Sequence, residues 1–248
     1  MVADVTGGKE SAMNDTRTAL ITGGSAGLGR ASALALAERG WEVIITGRRV
    51  EPLDRVAARA HTITALPGDV TDPRQRERIA VEIAARGRLD LLLNNASALG
   101  PSPMPTLARY PEDALAQVFA TDVLAPLALI AALIAHVRDT GGTVINISSD
   151  AAVGAYAGWG GYGAAKAALD HATAVLAVEE PGLAVYAFDP GDMRTEMHQA
   201  AFPGEDISDR PDPETVVPAL LHLLDTSPPS GRYRAADFAV AANTGVSS

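Results

Sequence analysis

The chain has 248 residues, 47% of them hydrophobic but only 4% aromatic, enough for one large domain with an aliphatic, alanine-rich core. Its formal net charge of −10 argues against a nucleic-acid binder and a binder of anionic membranes, while leaving room for a phosphorylated ligand held by local groups. With no cysteine there is no disulfide, thiol nucleophile or thiolate metal site, which fits a reducing, cytoplasmic setting.

Residues 1–16 are polar, lack the apolar stretch of a signal peptide, and read as a tail, with Met13 a candidate start. Thr18–Thr22 is an apolar run flowing into Gly23-Gly24-Ser25-Ala26-Gly27-Leu28-Gly29, a buried strand followed by a glycine turn. Arg30–Arg39 reads as helix stopped by Gly40, and Glu42–Thr46 as β-branched strand ending at Gly47-Arg48-Arg49. Helix Glu51–Ala60 and strand Thr62–Leu66 follow, then Gly68-Asp69-Val70. Asp72 caps a helix with Pro73 in its first turn and Arg74–Ala85 as its body. Strand Leu89–Leu93 ends in Asn94-Asn95-Ala96, and a loop with four prolines over 101–111 leads to a long helix from Glu112 to Arg138. The longest apolar run, Val123–Ala135, has thirteen residues and includes Pro126, too short to span a bilayer. Thr143–Ile147 is strand, Gly160–Glu179 helix and Leu183–Phe188 strand, ending at Asp189-Pro190-Gly191. Residues 192–212 are irregular and polar and read as a lid. Pro213–Asp225 is a last helix and Arg232–Ala235 a last strand.

Strands alternate with helices, and the strands are continuous apolar runs. That pattern predicts an α/β fold with one doubly wound, Rossmann-type parallel sheet of about seven strands, helices on both faces, in a single domain over 17–248. A glycine turn between the first buried strand and the first helix lets a pyrophosphate approach free N–H groups at a helix N-terminus. The group that reads the adenosine ribose lies about 20 residues further on. There the chain has Arg48 and no carboxylate, which favours NADP(H) over NAD(H). Asp69 stands where a carboxylate meets an adenine edge, with Val70 beside it, and is equally consistent with an Asx turn. Asn95 and Ala96 can order a cofactor or the strand ends. Tyr162 and Lys166, at i and i+4 on one helix, put an ammonium over a phenol and lower its pKa into a useful range. Ser149 ends the preceding strand within reach of a substrate oxygen. The five histidines show no ligand spacing, so no metal is expected.

Together these residues resemble the short-chain dehydrogenase/reductase family. The motifs are T-G-x-x-x-G-x-G at Thr22–Gly29, Asp69, N-N-A at Asn94–Ala96 and the serine of I-N-I-S-S at Ser149. Y-x-x-x-K at Tyr162–Lys166 and P-G-x-x-x-T at Pro190–Thr195 complete the set. The resemblance implies hydride transfer between NADP(H) and a small-molecule carbonyl or secondary alcohol. Tyr162 would be the general acid/base, Lys166 its activator and a ribose ligand, and Ser149 the carbonyl-polarising group. Gly23, Ser25, Gly27, Leu28, Gly29, Arg48, Asp69, Val70, Asn95, Ala96, Pro190, Gly191, Met193 and Thr195 would hold the cofactor, with Tyr162 and Lys166. Trp159 and Tyr156 fall where the family lines its substrate pocket, and His198, in the variable lid after Pro190, is a further substrate candidate that also reads as a surface loop residue. Three departures stand out. Asp122 occupies the place of a catalytic asparagine, Ser97 replaces the usual glycine after N-N-A, and Ser230–Asp237 replaces the usual C-terminal motif. Helices 112–138 and 160–179 are apolar on more than one face and, by the same resemblance, would pair subunits into a homodimer or homotetramer. An NAD-dependent alcohol dehydrogenase and a non-catalytic dinucleotide sensor remain alternatives.

Overall fold

The computed structural model describes residues 16–239, so the expected tail lies outside the described residues but for Thr16. Seven parallel strands form one sheet in the order 3-2-1-4-5-6-7: β1 (Thr18–Thr22), β2 (Glu42–Gly47), β3 (Ile63–Pro67), β4 (Leu91–Asn94), β5 (Thr143–Ile147), β6 (Ala184–Asp189) and β7 (Gly231–Arg234). The helices are α1 (Gly27–Glu38), α2 (Val50–Ala57), α3 (Pro73–Arg86), α4 (Glu112–Phe119), α5 (Ala125–Thr140), α6 (Gly160–Glu179), α7 (Glu196–Ala201), α8 (Val217–Thr226) and α9 (Ala235–Ala239). The order reverses at β1, where β2 pairs on one side and β4 on the other, opening a crevice at the carboxyl ends of these strands.

The apolar runs serve two cores at once. In β1, Ala19 and Ile21 enter the cluster with Leu36, Trp41 and Leu220, while Leu20 enters the opposite one with Ile79, Leu129 and Leu133. Leu91 and Leu93 against Leu92, and Tyr186 and Phe188 against Val185, repeat that division. The two-residue period of a strand sends neighbours to opposite faces, so a strand covered on both sides must be apolar throughout.

Two expected elements differ. The long helix is interrupted by a π-helical turn at Ala120–Leu124, which buries Asp122 and Val123. Taken whole, Glu112–Thr140 is long and apolar enough to cross a membrane. It is nevertheless a core helix here, since Leu129, Leu133 and Val137 are buried against the sheet side chains. The expected irregular lid contains α7, because the Thr195 hydroxyl caps it by accepting from the His198 N–H at 3.1 Å.

The Tyr186 hydroxyl donates to the Pro228 carbonyl at 2.6 Å, and burial, with Tyr233 nearby, pushes its pKa up to about 12. In the unfolded chain the phenol ionises near pH 10. Its contribution to stability is therefore complete below that pH and is lost as the pH rises toward 12. Urea unfolding at a series of alkaline pH values should show this loss, and Tyr186→Phe should flatten it.

Candidate active site

The crevice is a cleft of about 950 Å³ that runs from the glycine turn and the arginines beyond β2 to Tyr162 and Trp159. Its floor is the turn after β1. Gly23 and Gly27 have φ of +69° and +53°, a region that glycine enters without a Cβ penalty. A Cβ on Gly29 would sit 2.5 Å from both Asn95 Nδ2 and the Gly23 carbonyl oxygen, so only glycine lets α1 start this close to the turn. Ala26 caps α1 without a side-chain hydrogen bond, and the first turn has no acidic residue. That leaves its N–H groups for an anion.

Asn95 ties the neighbouring strand ends together. Its Nδ2 donates to the Thr22 carbonyl at 2.9 Å and to the Gly23 carbonyl at 3.3 Å, while its own N–H and that of Ala96 donate to Thr22 Oγ1. Of the two roles open to this amide, its side chain performs the ordering of the strands. Asp69 lines the cleft and also forms the Asx turn, with Oδ1 accepting from the Thr71 N–H and hydroxyl. Val70 is buried at the cleft wall.

Arg48 is exposed at the cleft end and is joined by Arg49, Arg55 and Arg59, the last two unforeseen from the sequence. The i, i+4 spacing of Arg55 and Arg59 was the available signal. Arg49 is engaged with Glu196 of α7 at 2.8 Å. Arg48, Arg55 and Arg59 show no ion pair among the described residues, so their charge faces the cleft end. Ser25, Gly27, Leu28, Pro190, Gly191, Met193 and Thr195 line the same cleft. Thr195 Cγ2 lies 3.5 Å from where a Gly27 Cβ would be, so the lid crosses directly above the turn.

At the other end, Tyr162 and Lys166 share α6, and the Lys166 ammonium lies 5.5 Å from the Tyr162 ring centroid. Lys166 is 2% exposed. Its Nζ donates to the Ile147 carbonyl at 2.9 Å and stands 3.9 Å from Asp122 Oδ2. Ser149 and Ser97 line the cleft beside Tyr162; the Ser149 hydroxyl donates to Asp150 Oδ1 at 3.1 Å and the Ser97 hydroxyl to Asp122 Oδ2 at 2.9 Å. Ser148 turns away, its hydroxyl donating to Asp170 at 2.8 Å, which separates the two adjacent serines by geometry. Burial pushes the Tyr162 phenol up and outweighs the downward pull of Lys166; Asp122 adds to the rise, and the neighbouring Ser149 and Ser97 hydroxyls oppose it. The phenol is therefore raised, where the i, i+4 lysine alone predicts a lowered one. The Asp122 carboxyl is raised too, chiefly by burial, against Lys166 and the hydrogen bonds from Ala98 and Ser97.

Trp159 lies in the cleft, edge-on to Tyr162 at 5.8 Å. With Leu99, Met197, Ala201 and Phe202 it forms an apolar box around the phenol. His198 is a buried helical residue rather than a surface loop one, with Nε2 3.4 Å from Arg210 Nε and its ring 4.9 Å from that of Phe202. Tyr156 does not reach the cleft lining: it is half exposed and lies over Gly154. Arg232 was not anticipated. It donates to Asp170 at 3.0 Å, Asp189 at 2.8 Å and the Ser149 carbonyl at 2.9 Å. Thus the altered C-terminal segment buttresses the serine. No group of three or more metal-ligating side chains occurs among the described residues.

The family model for short chain dehydrogenases matches residues 17–206. An uncharacterized oxidoreductase of Mycobacterium tuberculosis is 38% identical over 73% of this chain and 71% of its own. Serine 3-dehydrogenase of Agrobacterium fabrum is 33% identical over 73% of each chain. Among solved structures, a short chain dehydrogenase of Shigella flexneri complexed with NADP superposes with a TM-score of 0.82 at 30% identity, covering 89% of this chain and 97% of that one.

Removing the Arg232 guanidinium leaves Asp170 and Asp189 facing each other without their cation. Arg232→Ala should cost about 3 kcal/mol, read as a lower denaturation midpoint, and Arg232→Lys should recover only part, since one ammonium cannot serve three acceptors in a fixed fork.

Proposed function

The chain belongs to the short-chain dehydrogenase/reductase family, oxidoreductases that act on CH–OH/C=O groups with NAD(P), and within it we propose an NADP(H)-dependent ketoreductase working on a small-molecule substrate. The single observation that carries the reading is the convergence, in one cleft, of a dinucleotide cradle with Ser149, Tyr162 and Lys166. The turn fits a dinucleotide because a Cβ at Gly29 would fill the space the backbone needs, and α1 begins without a capping side chain. Gly23, Ser25, Gly27, Leu28 and Gly29 would hold the pyrophosphate, Asp69 and Val70 the adenine, and Pro190, Gly191, Met193 and Thr195 the nicotinamide end. Arg48, Arg55 and Arg59 supply cations for a 2′-phosphate. Structures of relatives bound to NADP and NADPH support the same preference.

When bound, the nicotinamide supplies the hydride. Tyr162 and Ser149 hold the substrate oxygen between two hydroxyl donors, and Tyr162 gives its proton as negative charge develops there. A phenol that is raised by burial stays protonated at neutral pH, which suits a proton donor in the reductive direction. Lys166, held beside the phenol, would also hold the nicotinamide ribose. Trp159 and His198 bound the substrate side, and the apolar box favours a carbonyl with a hydrocarbon flank. Leu124, Leu127, Val175 and Val178 are exposed on the helical segments 112–138 and 160–179. They are the surface on which a second copy would pack, giving a homodimer or homotetramer, and the cysteine-free chain suits the reducing cytoplasm.

A panel of ketones and aldehydes with NADPH tests the activity. Tyr162→Phe should lower kcat by roughly 10²- to 10⁴-fold while NADPH binding, followed by nicotinamide fluorescence, stays near wild type. Retained turnover in that variant removes Tyr162 from the mechanism. For cofactor choice, wild type should bind NADPH more tightly than NADH, and Arg48→Ala should weaken NADPH selectively by about tenfold or more, since a charge-assisted hydrogen bond contributes about 1.5–3 kcal/mol. Equal affinities would instead favour the NAD-dependent alcohol dehydrogenase.

A further inference from the structure

Three parts of the candidate active site meet on a side chain that lies outside the cleft. Arg232 stands in β7 and is not part of the cleft lining. Its Nη2 donates to the Ser149 carbonyl at 2.9 Å and to Asp189 Oδ2 at 2.8 Å, and its Nε donates to Asp170 Oδ2 at 3.0 Å. The Ser149 carbonyl also accepts from the Ala152 N–H at 3.0 Å, so both of its lone pairs are used. Asp189 ends β6, and its other oxygen accepts from the Gly191 N–H at 3.0 Å, which shapes the Pro190-Gly191 turn. Asp170 lies four residues beyond Lys166 and eight beyond Tyr162 on α6, in the same i, i+4 row. Its Oδ2 accepts from the Ser148 hydroxyl as well, at 2.8 Å. Both carboxylates are largely withdrawn from water, with side-chain exposures of 14% for Asp170 and 5% for Asp189.

Two buried carboxylates served by one guanidinium are a poor source of stability, because the cost of taking the charges out of water can exceed their attraction. What such a cluster does supply is geometry. A guanidinium is planar and its donors are fixed in a fork, so its partners cannot shift independently of one another. We propose that Arg232 is a positioning residue for the reaction: it holds the Ser149 backbone, the row of α6 that carries Tyr162 and Lys166, and the turn after β6 at fixed separations. The proposal rests on the ketoreductase reading and deepens it. In that reading Ser149 and Tyr162 hold the substrate oxygen, and Pro190 and Gly191 hold the nicotinamide end. The clamp therefore sets how far the substrate carbonyl carbon stands from the nicotinamide. With its carbonyl pinned from two sides, Ser149 keeps the rotation of its side chain, whose hydroxyl donates to Asp150 Oδ1 at 3.1 Å. A misplacement of about 1 Å at a reacting centre can slow a reaction by roughly a hundredfold, so a support this far from the chemistry matters to rate. Arg232 lies behind the reacting groups and acts through Ser149 and Asp189. The C-terminal segment that departs from the family pattern thus carries the clamp as well as the edge strand of the sheet.

The test uses the full-length chain as wild type, Arg232→Ala, Arg232→Lys, Ser149→Ala and the double variant Ser149→Ala/Arg232→Lys. In cofactor-free protein, amide hydrogen exchange should quicken several-fold in the Arg232 variants at two places, 150–152 and 191–192, while the amides of β1 and β2 keep their wild-type rates. With NADPH and the best carbonyl compound from the panel, kcat per NADPH-binding site should fall roughly ten- to a hundredfold in Arg232→Ala and less in Arg232→Lys, with KM for the carbonyl compound unchanged. The deuterium isotope effect from NADPH labelled at the transferred position should rise, because hydride transfer has become the slow step. An effect that acts through Ser149 shrinks once that hydroxyl is gone, so Arg232→Lys should lower kcat less in the Ser149→Ala background than in wild type. Exchange that rises evenly along the chain, an unchanged kcat per site in both Arg232 variants, or equal fold-losses with and without the Ser149 hydroxyl reduces Arg232 to a stabilising ion pair and overturns the proposal. No turnover of any carbonyl by wild type overturns the ketoreductase reading instead, and exchange at the two segments still decides the clamp. If Arg232→Ala does not fold, Arg232→Lys, which keeps a cation between the carboxylates, decides it alone.

Discussion

An ammonium group at 2% exposure is the constraint on which the rest of this site depends. Lys166 cannot leave water unless other groups replace its solvation. The Ile147 carbonyl does so at the end of β5, with the Asp122 carboxyl behind it. That demand places the C-terminus of a central strand, the second turn of α6 and the π-helical turn of the long helix within a few ångströms of one another. Tyr162 rides on the same helix one turn earlier and is held over the same charge. The phenol, the ammonium and the carboxyl are therefore gathered into one buried cluster.

The remaining architecture brings a cradle to that unit. A parallel sheet ends all its strands on one side, and the reversal of order at β1 leaves a crevice there. The close approach of Gly29 to Gly23 and Asn95 shapes the floor. The Arg49–Glu196 pair and the capped helix α7 bring the segment after β6 across the top. Buried amides stiffen the strand ends from below: Asn94 donates to Asn146 at 2.8 Å, and Asn146 donates to Thr173 at the same distance. These polar bonds sit at the point where the apolar runs of the sheet stop and the chemistry begins.

Much of this is legible without coordinates because it is local. A continuous apolar run five residues long, a glycine turn and a following helix predict one another through strand period and backbone freedom. Strand ends drifted by one or two residues, as at Leu89–Leu93 against Leu91–Asn94, because pairing with a neighbour decides where a ladder starts. Tyr162 and Lys166 are readable as partners since four residues of helix fix their separation. The sign of the Tyr162 shift was not readable, since an i, i+4 lysine predicts a lowered phenol while burial by Trp159, Leu99 and Ala201 raises it. His198 looked like a loop residue for the same reason: only the cap from Thr195 and the ring of Phe202 make it helical and buried.

What the amino-acid sequence determined by itself is therefore the alternation of elements, the parallel sheet, the glycine cradle and the Ser149, Tyr162 and Lys166 set, all carried by spacings short enough for backbone geometry to enforce. Only the tertiary structure decided which distant groups meet. Ser97 and Asp122 lie 25 residues apart and touch through one hydroxyl. Arg232 reaches Ser149 across 83 residues, and Arg49 reaches Glu196 across 147. The physical reason is range: hydrogen bonds and burial act over a few ångströms in space, and sequence separation says nothing of that distance until the sheet has brought its strand ends together.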